Sequence, residues 1–171
     1  MKKIIYLICF GMVLLPLFAN AQQVVEQKVK LGKTEVSGFI ATSMSEKPLV
    51  EDALTSKLTD AGITKHGKKK KFYTCKGVSV PEISPNKVDL YYRVQSKKHK
   101  SLIYFVVSKG YDNYVSTATD ATTAGNVINF LGKIDSRIAR TAEIKQKEED
   151  IKKVEEEKKK KEQELEDLKK K

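Results

Sequence analysis

The amino-acid sequence predicts an α+β domain that carries a long C-terminal helix. Apolar residues alternate with polar ones in several segments between residues 24 and 109, which is typical of antiparallel strands. Apolar residues also recur at helical spacing in two stretches, 46–61 and 120–142. We therefore expect a two-layer sandwich, a mostly antiparallel sheet of about four to five strands with two helices on one face.

Three parts are expected along the chain: a signal peptide at 1–21, the small α+β domain at 22–142 and a charged helical extension at 143–171. The domain holds 20 basic and 11 acidic residues, whereas the extension holds eleven acids and eleven lysines. The net positive charge thus lies outside the extension, whose acids and lysines balance. This pattern predicts a basic domain with a neutral, charge-rich helix attached.

The first 21 residues have the features of a secretory signal peptide. Two lysines precede a mostly apolar run, Ile4 to Phe18. The segment Ala19-Asn20-Ala21 then has small residues at the two positions that a signal peptidase recognises. The run is shorter than the ~20 apolar residues that span a bilayer, which disfavours an uncleaved anchor. We predict cleavage after Ala21, a periplasmic or secreted bacterial protein, and no integral membrane span after cleavage.

The first predicted elements are a β-hairpin and a helix. Residues 24–41 alternate around a two-residue turn at Gly32-Lys33. A helix is predicted over 45–62, with Ser43 or Ser45 as its cap. Its core-facing stripe is predicted to consist of residues at helical spacing: Leu49, Val50, Ala53, Leu54, Leu58 and Ala61.

Three strands are predicted next, over 72–80, 87–95 and 101–109. The last of them is apolar on both faces, which predicts a central, covered strand. An irregular connector is predicted over 81–86, because prolines stand at both of its ends. In the first strand, alternation predicts two opposite sets of side chains, with Phe72, Val78 and Val80 on one side and Tyr73 and Cys75 on the other.

The last helix is predicted to begin after a cap at Thr119 or Asp120 and to run to the end of the chain. Its first half has a core-facing stripe of residues one turn apart: Val127, Leu131, Ile134 and Ile138. Beyond Arg140 apolar residues fall on heptad positions a and d: Ile144, Ile151, Val154, Leu165 and Leu168. The remaining a and d positions are lysines: Lys147, Lys158 and Lys161.

Two interpretations of the extension stay open. One is a coiled coil that joins protomers, with the five apolar a and d residues as the oligomer interface. The other is a solvated single helix, stabilised by acid–lysine pairs four residues apart. We favour the homo-oligomer.

Two lysine-rich turns are expected at one end of the sheet. Together they contain the candidate polyanion-binding residues Lys65, Lys68, Lys69, Lys70, Lys71, Lys97, Lys98 and Lys100. A basic surface at this end of the sheet could bind an anionic glycan, lipopolysaccharide or another polyanion by charge. The alternative is that these lysines keep the domain soluble and prevent strand edges from pairing.

No residues in the sequence form a recognisable catalytic or metal-binding motif. His66 and His99 are predicted to be solvated turn histidines, and Cys75 a small buried apolar residue. Since Cys75 is the only cysteine beyond the predicted signal, no internal disulfide is expected. We predict a non-catalytic cell-envelope protein without cofactor or metal, an interaction or structural module that self-associates through its C-terminal helix; the alternative is a polyanion- or glycan-binding module.

Overall fold

A computed structural model describes residues 24–69 and 71–169, and it has the predicted α+β architecture. The predicted signal peptide lies outside the described residues. The elements, in chain order, are β1 (Val24–Leu31), β2 (Thr34–Ser43), α1 (Lys47–Asp60), β3 (Gly67–Lys69), β4 (Phe72–Val80), β5 (Ser84–Lys97), β6 (Lys100–Ser108), α2 (Ala121–Gly132) and α3 (Ile134–Lys169).

The six strands form one antiparallel sheet in the order β1-β2-β6-β5-β4-β3. The predicted four to five strands are therefore too few. The strand that was missed is β3, which has three residues and pairs Lys68 with Tyr73. Its sequence is a glycine and two lysines, so no apolar alternation marks it. Strand β6 lies between β2 and β5, which confirms the prediction of a central, covered strand.

The main core lies between one face of the sheet and the helices. Helices α1 and α2 and the first turns of α3 all pack on that face. The ring of Phe105 on β6 lies 6.4 Å from the Tyr92 ring and 5.8 Å from the Phe130 ring, measured between centroids. The helices contribute buried side chains at helical spacing: Val50, Ala53, Leu54, Leu58, Val127, Phe130, Leu131, Ile134 and Ile138. Burial of each large apolar side chain stabilises the fold by about 1.5–3 kcal/mol.

A smaller apolar cluster lies on the opposite face of the sheet. It contains Val29, Val36, Phe72 and Val106, with tyrosine rings packed around it. The guanidinium of Arg93 lies between two of the rings there, 4.2 Å from the centroid of Tyr104 and 4.9 Å from that of Phe72. This cation–π contact keeps a charged side chain on an otherwise apolar face.

A β-bulge in β4 changes which side chains face the helices. Cys75 pairs with Leu90, but the next pairing is Val78 with Val88, so one extra residue lies on β4. Gly77 in this bulge has a φ of 60°, a conformation that side chains disfavour. The prediction that Val78 lies opposite to Cys75 was therefore wrong, because the bulge reverses the alternation and both belong to the main core.

The connector predicted over 81–86 was also wrong in its second half, because β5 already begins at Ser84. A tight turn joins β4 to β5, in which the backbone N–H of Ile83 donates to the carbonyl of Val80 at 2.8 Å. Pro85 is accommodated next to Ser84, at the start of the strand, where fewer ladder hydrogen bonds depend on a backbone N–H.

Helix α1 begins two residues later than the predicted start. Glu46 is its N-cap residue and makes no capping hydrogen bond with its side chain, so neither predicted serine caps it. The hydroxyl of Ser43 instead accepts from the backbone N–H of Ser45 at 3.2 Å. The Ser101 hydroxyl donates to the Ser45 carbonyl at 2.8 Å, so the segment after β2 is tied to β6 through Ser45.

The predicted long C-terminal helix is confirmed, and one irregular residue, Lys133, separates its parts α2 and α3. The predicted cap is confirmed at Asp120, whose carboxylate accepts from the backbone N–H of Thr123 at 3.0 Å. The same carboxylate forms an ion pair with Lys109 from the end of β6.

We expect Asp120→Asn to alter the acid dependence of stability. Hydrogen bonds lower the pKa of Asp120 from 3.8 to about 2. The bond with Lys109 has the largest effect, and those with Thr123 come next. The charged carboxylate thus stabilises the folded state above about pH 4, and this contribution is lost as pH falls through about 2. Asparagine is also a good N-cap, so the variant removes mainly the charge. Urea midpoints of the two proteins should differ at neutral pH and converge at about pH 2; a gap independent of pH would contradict this.

Residues 143–169 of α3, hereafter the arm, extend beyond the packed domain. Arg137 forms an ion pair with Asp60 of α1, and Lys145 forms one with Asp52. Ala142 is the last half-buried residue, and every residue of the arm is exposed. At ~1.5 Å per residue the arm is roughly 40 Å long. None of the helices in the described ranges is both long and apolar enough to cross a bilayer.

Candidate anion-binding site

The antiparallel register brings the two lysine-rich turns to the same end of the sheet. Strand β4 starts where β5 approaches its end, since Tyr73 pairs with Tyr92. The turn from β3 to β4 and the turn from β5 to β6 therefore lie side by side. Five of the candidate lysines are exposed here: Lys68, Lys71, Lys97, Lys98 and Lys100. Lys65 is also exposed but precedes β3, at the end of that strand away from the β3–β4 turn. Lys70 and the side chain of Lys69 lie outside the described part of the chain.

A cleft of about 560 Å³ opens at this end of the sheet and is hereafter the basic cleft. It exists because β5 is longer than its neighbour: β4 pairs with β5 only from Tyr73 opposite Tyr92, and β5 continues to Lys97. The outer edge of β5 thus remains open to line the cleft. The lining residues come from α1, the β3–β4 hairpin and β5: Lys47, Glu51, Lys68, Lys71, Tyr73, Arg93, Val94, Gln95 and Ser96.

Among the described residues, three lysines, Arg93 and one glutamate line the basic cleft, and the Arg93 guanidinium packs on the Tyr104 and Phe72 rings of the opposite sheet face. Lys47, in the first turn of α1, lies 3.5 Å from Glu51. The ammonium of Lys68 lies 5.6 Å from the centroid of the Tyr73 ring, which itself stacks on Tyr92 at 5.2 Å. The start of a helix adds positive potential from its unpaired backbone N–H groups. The cleft therefore has an excess of positive charge beside a partly exposed aromatic ring.

The sequence predicted only part of the basic cleft. It predicted Lys68 and Lys71 but not Lys47, which lies far from both lysine-rich turns in the sequence, or Arg93, which lies on the strand that leads into the second turn. The structure places neither Lys65 nor the lysines of the β5–β6 turn among the lining residues. The exposed lysines of the β5–β6 turn instead extend the positive surface at this end of the sheet.

His66 joins the lysine-rich segment to the core, so the prediction of a solvated turn histidine was wrong for it. Its Nδ1 atom lies 2.9 Å from the hydroxyl of Tyr92 and 3.2 Å from the sulfur of Cys75. A neutral imidazole can accept a hydrogen bond from either group at Nδ1. The contact depends on the pairing of β4 with β5, which no local pattern encodes. His99 is exposed, in agreement with its prediction.

Cys75 is buried, as predicted, with 1% of its surface exposed. Burial raises the pKa of its thiol to about 11, so the protonated form dominates at neutral pH. Burial likewise raises the pKa of the Tyr92 hydroxyl to about 12. A reactive cysteine needs a thiolate and access to solvent. We therefore interpret the contacts among Cys75, His66 and Tyr92 as a structural anchor for the segment before β3.

A second cleft, of about 760 Å³, lies at the opposite end of α1. Two of its four cations are paired with acids: Arg137 pairs with Asp60, and Lys57 pairs with Glu82 at 3.3 Å. The end of α1 also contributes carbonyl groups, which disfavour an anion. This cleft is a weaker candidate than the basic cleft.

The five predicted interface residues lie on the arm and are exposed side chains: Ile144 at 48%, Ile151 at 58%, Val154 at 64%, Leu165 at 53% and Leu168 at 69%. Within the described ranges, no group of three or more His, Cys, Asp or Glu side chains is arranged to hold a metal ion. Comparison with protein-family models, curated proteins and solved structures finds no match for this chain.

Proposed function

We propose that this chain is an exported, non-catalytic module of the bacterial cell envelope that binds an anionic glycan in the basic cleft. The observation that supports the proposal is the convergence of Lys47, Lys68 and Lys71 around one cleft in which Glu51 is the one carboxylate among the described residues. Such an arrangement attracts carboxylate, sulfate or phosphate groups through charge. The predicted signal peptide supports a location where such glycans, including lipopolysaccharide, occur.

The polar groups of the cleft favour a glycan over a nucleic acid. Gln95 and Ser96 offer hydrogen bonds to hydroxyl groups, and the Tyr73 ring offers an apolar surface to a sugar face. Glu51 would repel a backbone with one phosphate at every residue, but it can accept from sugar hydroxyls. A glycan that carries an acidic group on only some of its sugars satisfies both the cations and Glu51.

We expect the double variant Lys68→Gln/Lys71→Gln to weaken binding to heparin, used here as an anionic glycan. Each lysine that contacts an anionic group releases counterions on binding. The slope of log affinity against log salt should therefore fall by about one to two units. Elution from a heparin column at increasing salt and titration at several salt concentrations would measure the loss.

The matched control is Lys30→Gln/Lys33→Gln, which removes the same charge at the β1–β2 turn, at the opposite end of the sheet. Both lysines are exposed, so neither substitution disturbs the core. Equal weakening by the two double variants would mean that net charge alone drives binding, against the proposal. Stronger binding to a single-stranded DNA oligonucleotide than to heparin would contradict the choice of a glycan.

Self-association through the C-terminal helix stays a prediction. The exposed apolar side chains of the arm support a role in interaction. The acidic residues beside them restrict which helices can pair with the arm.

A further inference from the structure

The apolar residues of the arm lie in a seam with acidic flanks. With Ile144 and Ile151 at heptad position a, the positions that flank the seam are e and g. From Glu143 to Glu164 every one of these positions is acidic: Glu143, Glu148, Asp150, Glu155, Glu157, Glu162 and Glu164. All seven side chains belong to exposed residues of the arm.

These flanks oppose pairing of the arm with a second copy of itself. In a parallel pair, position g of one helix faces position e of the other, which would place Glu143 against Glu148 and Asp150 against Glu155. In an antiparallel pair, g faces g and e faces e, so acids again meet acids. Like charges facing each other destabilise a helix pair and exclude partners. The exposed seam is therefore better suited to a different chain.

Two of the three lysines within the seam form ion pairs with acids of the same helix. Lys147 lies 2.7 Å from Glu143, and Lys158 lies 3.7 Å from Glu162. Two apolar patches remain on the seam, one at Ile151 and Val154 and one at Leu165 and Leu168. Lysine stems can cover the surface between them while their ammonium groups reach water.

We propose that the arm binds an amphipathic helix of another protein, whose apolar seam is flanked by lysine or arginine. Such a helix would place its apolar residues on the two patches and its cations against the acidic flanks of the arm. Charge complementarity at e and g positions sets the choice of partner in helix pairs. This inference does not depend on the basic cleft, which lies on the domain.

The test uses the purified chain and two synthetic four-heptad helices with the same leucine seam. One peptide has lysine at every e and g position, and the other has glutamate there. We expect the lysine-flanked peptide to bind about tenfold or more tightly than the other, with an affinity that falls as salt screens the charges. Fluorescence anisotropy of the labelled peptides measures both affinities, and light scattering gives the mass of the chain alone.

Two double variants that leave the net charge unchanged test whether the peptide binds to the apolar seam or only to the charges of the arm. Val154→Ser/Leu165→Ser should lower the affinity for the lysine-flanked peptide by about tenfold or more. The control, Gln146→Ser/Gln163→Ser, lies outside the a, d, e and g positions and should leave the affinity unchanged. Equal affinity for the two peptides, or binding that survives the seam variant, would overturn the proposal. So would a dimer of the chain alone that Val154→Ser/Leu165→Ser dissociates.

Discussion

Replacing Phe105 with alanine should cost about 3–5 kcal/mol of the free energy of unfolding. Phe105 is fully buried on the central strand β6, and its ring contacts both Tyr92 on the sheet and Phe130 on α2. The substitution removes the ring that joins the two layers, and neighbours fixed on different elements cannot close the cavity. Since domains of this size have only about 5–15 kcal/mol in total, the melting temperature should fall by roughly 10–20 °C.

Urea unfolding should be followed by near-ultraviolet circular dichroism of the tyrosines, because the arm contributes helical signal of its own. Leu165→Ala is the appropriate control, since this leucine lies on the arm with 53% of its surface exposed. The control should leave the unfolding midpoint within error of the unchanged chain. A loss below about 1 kcal/mol for Phe105→Ala would mean that the two layers are not held together by this aromatic contact.

Much of the fold follows from local pattern. Strand β5 alternates Val88, Leu90, Tyr92 and Val94 with polar residues, and all four side chains face the helices. Asp120 marks the start of the C-terminal helix because a carboxylate there satisfies a backbone N–H that the helix leaves open. In both cases the chemistry of a few neighbouring residues determines the element.

The features that the sequence did not predict depend on contacts between distant segments. Strand β3 forms only because β4 offers it an edge, and its own residues have no preference for a strand. The bulge at Gly77 depends on the register between β4 and β5. The approach of His66 to Tyr92 depends on the same register, across 26 positions of the chain.

The candidate site shows the same limit. The lysine-rich turns were visible because like charges are adjacent in the sequence. The basic cleft also needs Lys47 from α1 and Arg93 from β5, and only the tertiary fold brings them to Lys68. The acidic flanks of the arm are different, because heptad geometry alone assigns them once the helix is known to be exposed.

Replacing Gly38 with alanine should destabilise the domain by about 1–3 kcal/mol. A Cβ atom at this position of β2 would lie 2.8 Å from a methyl carbon of Val106 and 2.9 Å from one of Val29. It would also lie 3.1 Å from the backbone carbonyl oxygen of Phe105, which the paired strands hold in place. The smaller apolar cluster leaves no space for a side chain here, so the neighbouring strand or both valines must shift. The free energy of unfolding in urea measures the cost.

Gly125→Ala is a control for which we expect the opposite change in the free energy of unfolding. Gly125 lies within α2, and a Cβ atom there would meet no other atom within 4 Å. Alanine restricts the unfolded chain and favours the helix, so this variant should gain about 0.5–1 kcal/mol. The same substitution is therefore expected to act in opposite directions at two glycines of one domain. If Gly38→Ala were also neutral or stabilising, β2 and β6 would have to separate easily, and the close packing of the second sheet face would be wrong.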